Sequence, residues 1–431
     1  MSIINNLYQG VSGLNANSTH MEVIGNNIAN VNTVGFKAGR MNFEEVLGRS
    51  VLGTAGHSRI GNGVRVGGVE QVFSQGSFAA TGQATDMAIA GEGFFMVRGE
   101  VGGTSQNLFT RAGQFNIDNE GFITTGGGLK LQGFQAGSDG TIGSKLGDVK
   151  LSLEPIPPTP SSDIQMRLGL DSSTEARTDE FDPENPSATS DFTSTVTVFD
   201  SLGNAHQVDV YVRKTGDNAW DYHALVPTED TEAGGETEFT QIGSGSLTFN
   251  SEGQLQTETG DPLSVTFDGA AAQTLALDFG TSLDEGGDGS SASEQFEASG
   301  NQTLSVEQDG RASGVLQGIR VDADGTIIGA FSNGEELNVG RVALARFAAP
   351  SGLENVGGNF FRANGLSGDA VVGTADSGGR GAIVGAALEQ SNVDLASEFV
   401  QLITAQRGFQ ANARTITTAD EVYVETVNLK R

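Results

Sequence analysis

Four histidines, at positions 20, 57, 206 and 223, are where acid–base or metal chemistry would begin in this chain, because imidazole titrates near neutrality and is a common metal ligand. They are dispersed, and none opens a metal-ligand spacing with a neighbouring acid. His206 and His223 bracket one predicted hairpin and could meet across it with Asp209 or Asp221, although surface strand residues answer the same description. In Asp322-Ala323-Asp324-Gly325 two carboxylates suit calcium, yet the glycine falls at the fourth position instead of the sixth and the closing glutamate is missing. Similar runs occur at Asp118-Asn119-Glu120-Gly121 and Glu307-Gln308-Asp309-Gly310, and a tight turn with a positive-φ glycine explains all three. The glycine-rich stretch at 61–68 lacks the Lys-Ser/Thr pair of a phosphate loop, misses the dinucleotide spacing and precedes no clear helix. There is no cysteine, hence no disulfide or thiol chemistry, and the many Ser and Asp residues select no triad. No catalytic, cofactor-binding or metal-binding residue is assigned. The expectation is a protein that is not an enzyme and uses no cofactor.

The elements that would have to position any site set wider limits. At 431 residues the chain exceeds one ordinary hydrophobic core, so two or three domains are expected. Sixty-two glycines and 24 phenylalanines against a single tryptophan suit many short strands joined by tight turns. A formal charge of −30 disfavours nucleic acid and anionic membrane as partners. No apolar run is long enough to span a bilayer, and Asn15, Asn17, His20 and Glu22 interrupt any signal-peptide pattern at the start. The simplest inference is a cytosolic protein, the other being export by a machine that needs no cleaved signal.

Both ends of the chain carry helical periodicity. Near the C-terminus Leu395, Phe399, Leu402, Gln406, Phe409, Ala413, Ile416, Asp420, Tyr423 and Val427 recur in steps of three and four, with Leu388, Val393, Ile403 and Val424 widening the stripe. Leu7, Val11, Leu14, Ser18, Met21, Gly25 and Ile28 repeat the rhythm near the N-terminus. The two ends read as one antiparallel, coiled-coil-like helical hairpin; two ordinary terminal helices on a globular core share the spacing. Both seams are thin in large residues and rich in Asn, Ser, Ala and Thr, which points to contacts completed only in an assembly.

Between the ends the period changes to two. Met87–Ala90, Phe94–Arg98, Gln114–Ile117 and Leu129–Gln132 read as strands of an antiparallel domain, and the recurrence of its turn type after residue 305 suggests that this domain is discontinuous. Pro155, Pro157, Pro158 and Pro160 open an acidic insert with strands at Thr193–Phe199, Gln207–Arg213, Leu247–Phe249, Leu263–Phe267 and Leu275–Phe279. The fold class expected is mainly β with terminal α-helices. Its parts are a helical polymerisation domain (1–32 with 386–431), an extended linker or hairpin region (33–70), a discontinuous inner β domain (71–150 with 300–385) and an inserted acidic outer β domain (151–299).

Several stretches resemble bacterial flagellar hook proteins, within the wider family of axial proteins that also forms the rod. They are Leu7-Tyr8-Gln9-Gly10-Val11-Ser12-Gly13-Leu14; Asn26-Asn27-Ile28-Ala29-Asn30 running to Thr33-Val34-Gly35-Phe36-Lys37; Gly91-Glu92-Gly93-Phe94-Phe95; and Phe109-Thr110-Arg111-Ala112-Gly113. Further matches are Phe199-Asp200-Ser201-Leu202-Gly203-Asn204, Leu388-Glu389-Gln390-Ser391-Asn392-Val393-Asp394-Leu395 and Ala405-Gln406-Arg407-Gly408-Phe409-Gln410-Ala411-Asn412. The family-motif positions carried over are Asn26, Asn27, Ala29, Asn30, Thr33, Gly35, Phe36, Lys37, Asn392, Asp394, Gln406, Arg407, Gln410 and Asn412. The insert favours the hook over the alternative, the distal rod protein, whose relatives have little or no outer domain.

The resemblance implies a homopolymer stacked helically into the flexible tube that transmits torque from motor and rod to filament. Its implied partners are further copies of itself, the distal rod protein, the hook cap protein during assembly, the hook-filament junction protein and the flagellar type III export apparatus. Neither nucleic acid nor membrane insertion is implied. The implied location is the flagellar hook outside the cell, reached without a cleaved signal peptide.

Overall fold

A computed structural model describes residues 2–47, 49–53, 56–101, 103–137, 139–152, 154–232, 234, 237–297 and 300–428. The chain forms two compact units: 1–153 with 316–330 and 336–431, and 154–315 with 331–335.

In the first unit, helix α1 (Ser2–Ala29) and a C-terminal helix (Leu395–Asn428) run antiparallel: Gly10 lies against Ile416 and Asn412, Gly13 against Asn412, and Asn17 against Gly408. The C-terminal helix starts where Asp394 Oδ1 accepts from the backbone N–H groups of Ala396 and Ser397, an ordinary N-cap. This corrects the expected place of Leu388. It is not on the helix but in the strand Ala387–Glu389, which pairs with Phe78–Ala80 and buries Leu388 in the monomer.

After α1 the chain forms ribbons. Gly39–Glu45 pairs with Val64–Gln71, and Arg49–Gly53 with Gly56–Ile60. Beyond them, twelve described strands make one sheet, centred on Glu336–Arg346, Lys130–Ala136, Phe94–Val101 and Thr104–Thr110. The strand Phe94–Val101 shows why its sequence is continuously apolar. Phe95 and Val97 enter a core with Met87, Phe115, Leu131 and Leu344, while Phe94 and Met96 enter another with Phe109, Phe347 and Phe361. Alternate side chains point to opposite faces, so a strand covered on both faces loses its polar alternation. The ring pairs Phe95–Phe115 and Phe94–Phe347 meet edge-on at 5.4 and 5.7 Å.

The second unit packs two sheets around one core. An antiparallel meander runs Phe192–Phe199, Ala205–Gly216, Ala219–Pro227, Phe239–Phe249 and Leu255–Gly260. The other sheet centres on Asp163–Asp171, flanked by Gln273–Asp278, Glu294–Phe296 and Gln302–Gln308. Ile164, Met166, Leu168 and Leu170 meet Val208, Val210, Trp220, Phe267 and Phe279 in its centre. Buried Trp220 donates from Nε1 to Gln295 Oε1 at 2.6 Å. A short α-helix, α2 (Pro186–Thr189), lies in this unit, and the C-terminal helix is α3.

The strand Gln302–Gln308 corrects the boundary expected at 299/300. Its ladder is with Asp163–Asp171, so the chain leaves the second unit at 315, and the turn at 307–310 is not a second copy of the inner-domain hairpin.

Glu258, on the strand Leu255–Gly260, accepts from the Phe279 backbone N–H at 3.1 Å. Burial pushes its carboxyl up to about 7, the Phe279 bond opposing this and Asp278 and Glu285 adding to it. The folded chain therefore holds a proton that the unfolded chain has released, and this group makes stability fall as pH rises from about 4.5 to about 7. Glu258→Gln is expected to remove that part of the pH dependence. Thermal midpoints of both proteins across the window check it: the variant's advantage grows with pH, and a constant difference contradicts the assignment.

Candidate functional site

The side chains that hold the two chain ends together converge at the base of the helix pair. Glu389 lies at the end of its short strand with its side chain fully buried. Its Oε1 accepts from Lys37 Nζ at 2.6 Å, Gln75 Nε2 at 2.7 Å and the Gly76 backbone N–H at 2.9 Å; its Oε2 accepts from Arg111 Nη1 at 3.3 Å. Lys37 also donates to the Ser74 carbonyl at 2.7 Å, and Arg111 to the Gly91 carbonyl at 2.7 Å. Burial pulls the Lys37 ammonium and the Arg111 guanidinium below their ordinary ranges, and Glu389 opposes the shift in both. Two cations and one carboxylate out of water are tolerable only with this density of donors and acceptors.

The backbone completes the join. The Gly35 N–H donates to the Glu389 carbonyl at 2.8 Å. Gly35 sits at φ +66°, and a Cβ there would come within 2.5 Å of the Ala112 nitrogen, so both conformation and space require glycine. Asn392 Oδ1 accepts from the Ala38 N–H at 2.7 Å, while its Nδ2 donates to the Val72 carbonyl at 2.8 Å. Asn27 binds both the N–H and the carbonyl of Gly39, at 2.8 and 2.9 Å, and donates to Glu398 Oε1 at 3.1 Å. Asn30 Nδ2 donates to the Asn26 carbonyl and Thr33 Oγ1 to Asn30 Oδ1, tying off the end of α1.

The structure thus gathers Asn27, Gly35, Lys37 and Asn392 at one place, with Phe36 buried between them and Asp394 capping α3. Ala29, Gln406, Arg407 and Gln410 are exposed instead, and Asn412 packs on Gly13. On α1 the residues buried within one copy lie beside the expected seam, not on it. Gly10, Gly13, Ala16, Ile24 and Asn27 are buried, whereas Leu7, Leu14, Met21 and Ile28 are half-buried and Val11 is exposed. On α3 the contact with α1 runs along Ala405, Gly408, Asn412 and Ile416; Leu402 and Ala413 are half-buried. Leu395, Phe399, Phe409, Tyr423 and Val427 remain exposed.

Sequence reasoning assigned no role to Glu389, Arg111, Glu398, Gly10 or Gly13. Glu389 and Arg111 stood inside quoted motif stretches, and Gly10 and Gly13 follow helical spacing that a search for large apolar residues passes over.

His206 and His223 do not meet. Strand pairing sets Tyr211 opposite His223 and Val198 opposite His206. His223 stacks on Phe181 at 3.9 Å, its pKa lowered to about 4 by burial and by Arg213. His206 stacks on Phe267 beside Asp200, and the side chain of His57 lies outside the described residues. Asp322 and Asp324 pair with Arg320 and Arg341, and no group of three or more His, Cys, Asp and Glu is placed to hold a metal among the described residues. The arrangement at the helix base anchors the two ends of the chain to each other.

Comparison with known proteins gives this anchor a context. Residues 7–37 match the model described as flagella basal body rod protein, 88–165 the flagellar hook protein FlgE/F/G D1 domain, 169–311 the flagellar basal body protein FlaE D2 domain, and 384–429 the flagellar basal body rod FlgEFG protein C-terminal. The flagellar hook protein FlgE of Salmonella typhimurium is 36% identical over 433 residues, covering 98% of this chain and 99% of that protein. The chain belongs to the flagellar hook protein FlgE family. The hook protein of Borreliella burgdorferi is 32% identical over 99% of this chain and all of its own length. The Helicobacter pylori hook protein FlgE2 structure covers 71% of this chain and 98% of its own, with TM-score 0.49 at 16% identity. Full-length likeness to hook proteins favours the hook over the rod alternative, and the anchor in this hook-family chain joins segments from its two terminal matches.

Glu389→Ala leaves Lys37 and Arg111 buried without their carboxylate, and is expected to destabilise the first unit by about 3–5 kcal/mol. Chemical denaturation of the monomer measures this, and a loss below about 1 kcal/mol contradicts the geometry.

Proposed function

We propose that this chain assembles through its paired terminal helices into a helical homopolymer, the flexible tube that carries torque from motor and rod to filament. The observation that carries this is the outward side of α3. Phe399 is 49% exposed, Ile403 51% and Tyr423 50%, with Leu395, Val400 and Val427 also exposed. Large apolar side chains left exposed along one helix in this number call for a covering partner. The seam is Leu7, Val11, Leu14, Met21 and Ile28 with Leu395, Phe399, Leu402, Phe409, Ala413, Ile416, Tyr423 and Val427, and its cover is further copies of the chain. The exposed motif residues Gln406, Arg407 and Gln410 lie in the same contact.

In the tube the helices form the polymerisation domain, residues 33–70 a connecting ribbon, the large sheet the inner β domain and the acidic second unit the outer one. The partners proposed at the ends are the distal rod protein, the hook cap protein during assembly and the hook-filament junction protein. The subunit is delivered unfolded by the type III export apparatus without a cleaved signal, and acts outside the cell as a structural part, not as an enzyme. A chain without disulfides and with helices that depend on partners suits that route.

Phe409, 36% exposed in the monomer, is buried on assembly in this account. Removing a packed phenylalanine costs about 3–5 kcal/mol, and somewhat less at a site partly covered beforehand, so Phe409→Ala is expected to raise the critical concentration for polymerisation by about a hundredfold or more. The monomer's thermal midpoint is expected to stay put. A variant that loses monomer stability yet polymerises normally contradicts assembly through this face.

A further inference from the structure

The helix pair leaves one buried acid half-satisfied. Glu398, on the first turns of α3 and 8% exposed, uses Oε1 for Asn27, while its Oε2 is buried with no hydrogen-bond partner. It lines a cavity of about 160 Å3 with His20, Ile24, Asn27, Arg40, Asn392 and Gln401. That volume exceeds what a planar side-chain head group or a few waters need. Arg40 does not serve Glu398: it turns to Glu70 at 3.0 Å, with its side chain 65% exposed. Burial lowers the pKa of His20, disfavouring the charged ring, and it pushes the Glu398 carboxyl up, as befits an acid lacking a counter-ion.

The complementary charge is on the other side of the same helix. Arg407 is exposed and has no acidic partner among the described residues. It stands nine residues beyond Glu398, about 13.5 Å along the axis and about half a turn around it. No rotamer can join the two within one copy. A contact between them must run from one copy to the next, and when it is made head to tail without closing on itself it repeats into an open polymer.

We propose that the Arg407 guanidinium of a second copy of this chain enters the cavity and pairs with Glu398 Oε2. The proposal rests on assembly through the helix pair, and adds to the apolar seam a polar contact that sets the axial position of one copy against the next. A guanidinium suits the site because it stays charged, is weakly hydrated and presents several donors in one plane to a partly desolvated carboxylate.

A double-mutant cycle on the critical concentration of the full chain tests it, using Glu398→Gln, Arg407→Ala and the two combined. Glu398→Gln keeps the acceptor for Asn27 and removes the charge. Each single change is expected to raise the critical concentration about tenfold or more, and the double variant no more than the larger single effect. Arg407→Ala is expected to leave the monomer's thermal midpoint unmoved. Arg414→Ala, exposed on the same side of α3, is expected to multiply with Glu398→Gln.

Independent, multiplying effects of Glu398→Gln and Arg407→Ala overturn the pairing, as does a normal critical concentration for Arg407→Ala. Coupling of Glu398→Gln with Arg40→Ala in the monomer's thermal midpoint overturns it too, since the counter-ion is then internal. A critical concentration indifferent to Phe409→Ala counts against assembly through the helices altogether. A response to Phe409→Ala without coupling at 398 and 407 counts against this pairing alone.

Discussion

A single buried carboxylate, that of Glu389, sets the relation between the two ends of the chain. It takes donors from Lys37, from the neighbours Gln75 and Gly76, and from Arg111, three places far apart in the sequence, while its own carbonyl takes the Gly35 N–H. Desolvating such a group cancels most of its Coulombic gain, so an apolar cluster of equal volume would often be no less stable. What an apolar cluster lacks is direction. Only one alignment of residues 35–39 against 389–392 satisfies these donors together with the amides of Asn27 and Asn392. The register of α1 against α3 follows from that alignment, because both helices begin or end within a few residues of it.

Once the register is fixed at the base, glycine and alanine decide how the helices touch. Gly10 and Gly13 let Ile416 and Asn412 approach α1 closely enough that a Cβ at either glycine would lie 2.7 Å or less from them. A contact made of such small residues buries little apolar area and contributes little stability per turn. It also leaves the bulky residues of α3 on the outside. The same geometry therefore makes the pair weak alone and apolar outward, as a subunit that completes its core from neighbours requires.

The sequence was most legible where a physical pattern repeats. Strands such as Met87–Ala90 and Thr193–Phe199 followed from alternation and bounding turns, and the antiparallel terminal helices from spacing in threes and fours. It was least legible where one long-range pair decides the outcome. Leu388 fits the helical stripe by spacing, yet the ladder with Phe78–Ala80 makes its segment a strand. Gln302–Gln308 alternates like any strand, and only its pairing with Asp163–Asp171 places it in the second unit. The anchor was visible as motif residues, Asn27, Gly35, Lys37 and Asn392, without the carboxylate that unites them. No local rule pairs Lys37 with an acid some 350 residues away. Along α1, attention to large side chains put the seam beside the stripe that is buried within one copy.

The central claim is that the terminal helices are fixed at their base and completed elsewhere. Hydrogen exchange along α3, in the monomer and in the polymer, tests it most directly. In the monomer, protection is predicted to be high near Glu398 and Ala405, where the helix is buried, and to fall toward residues 421–428, which are all exposed. In the polymer it is predicted to become high along the whole helix. Uniformly strong protection in the free monomer, unchanged on assembly, would contradict the account.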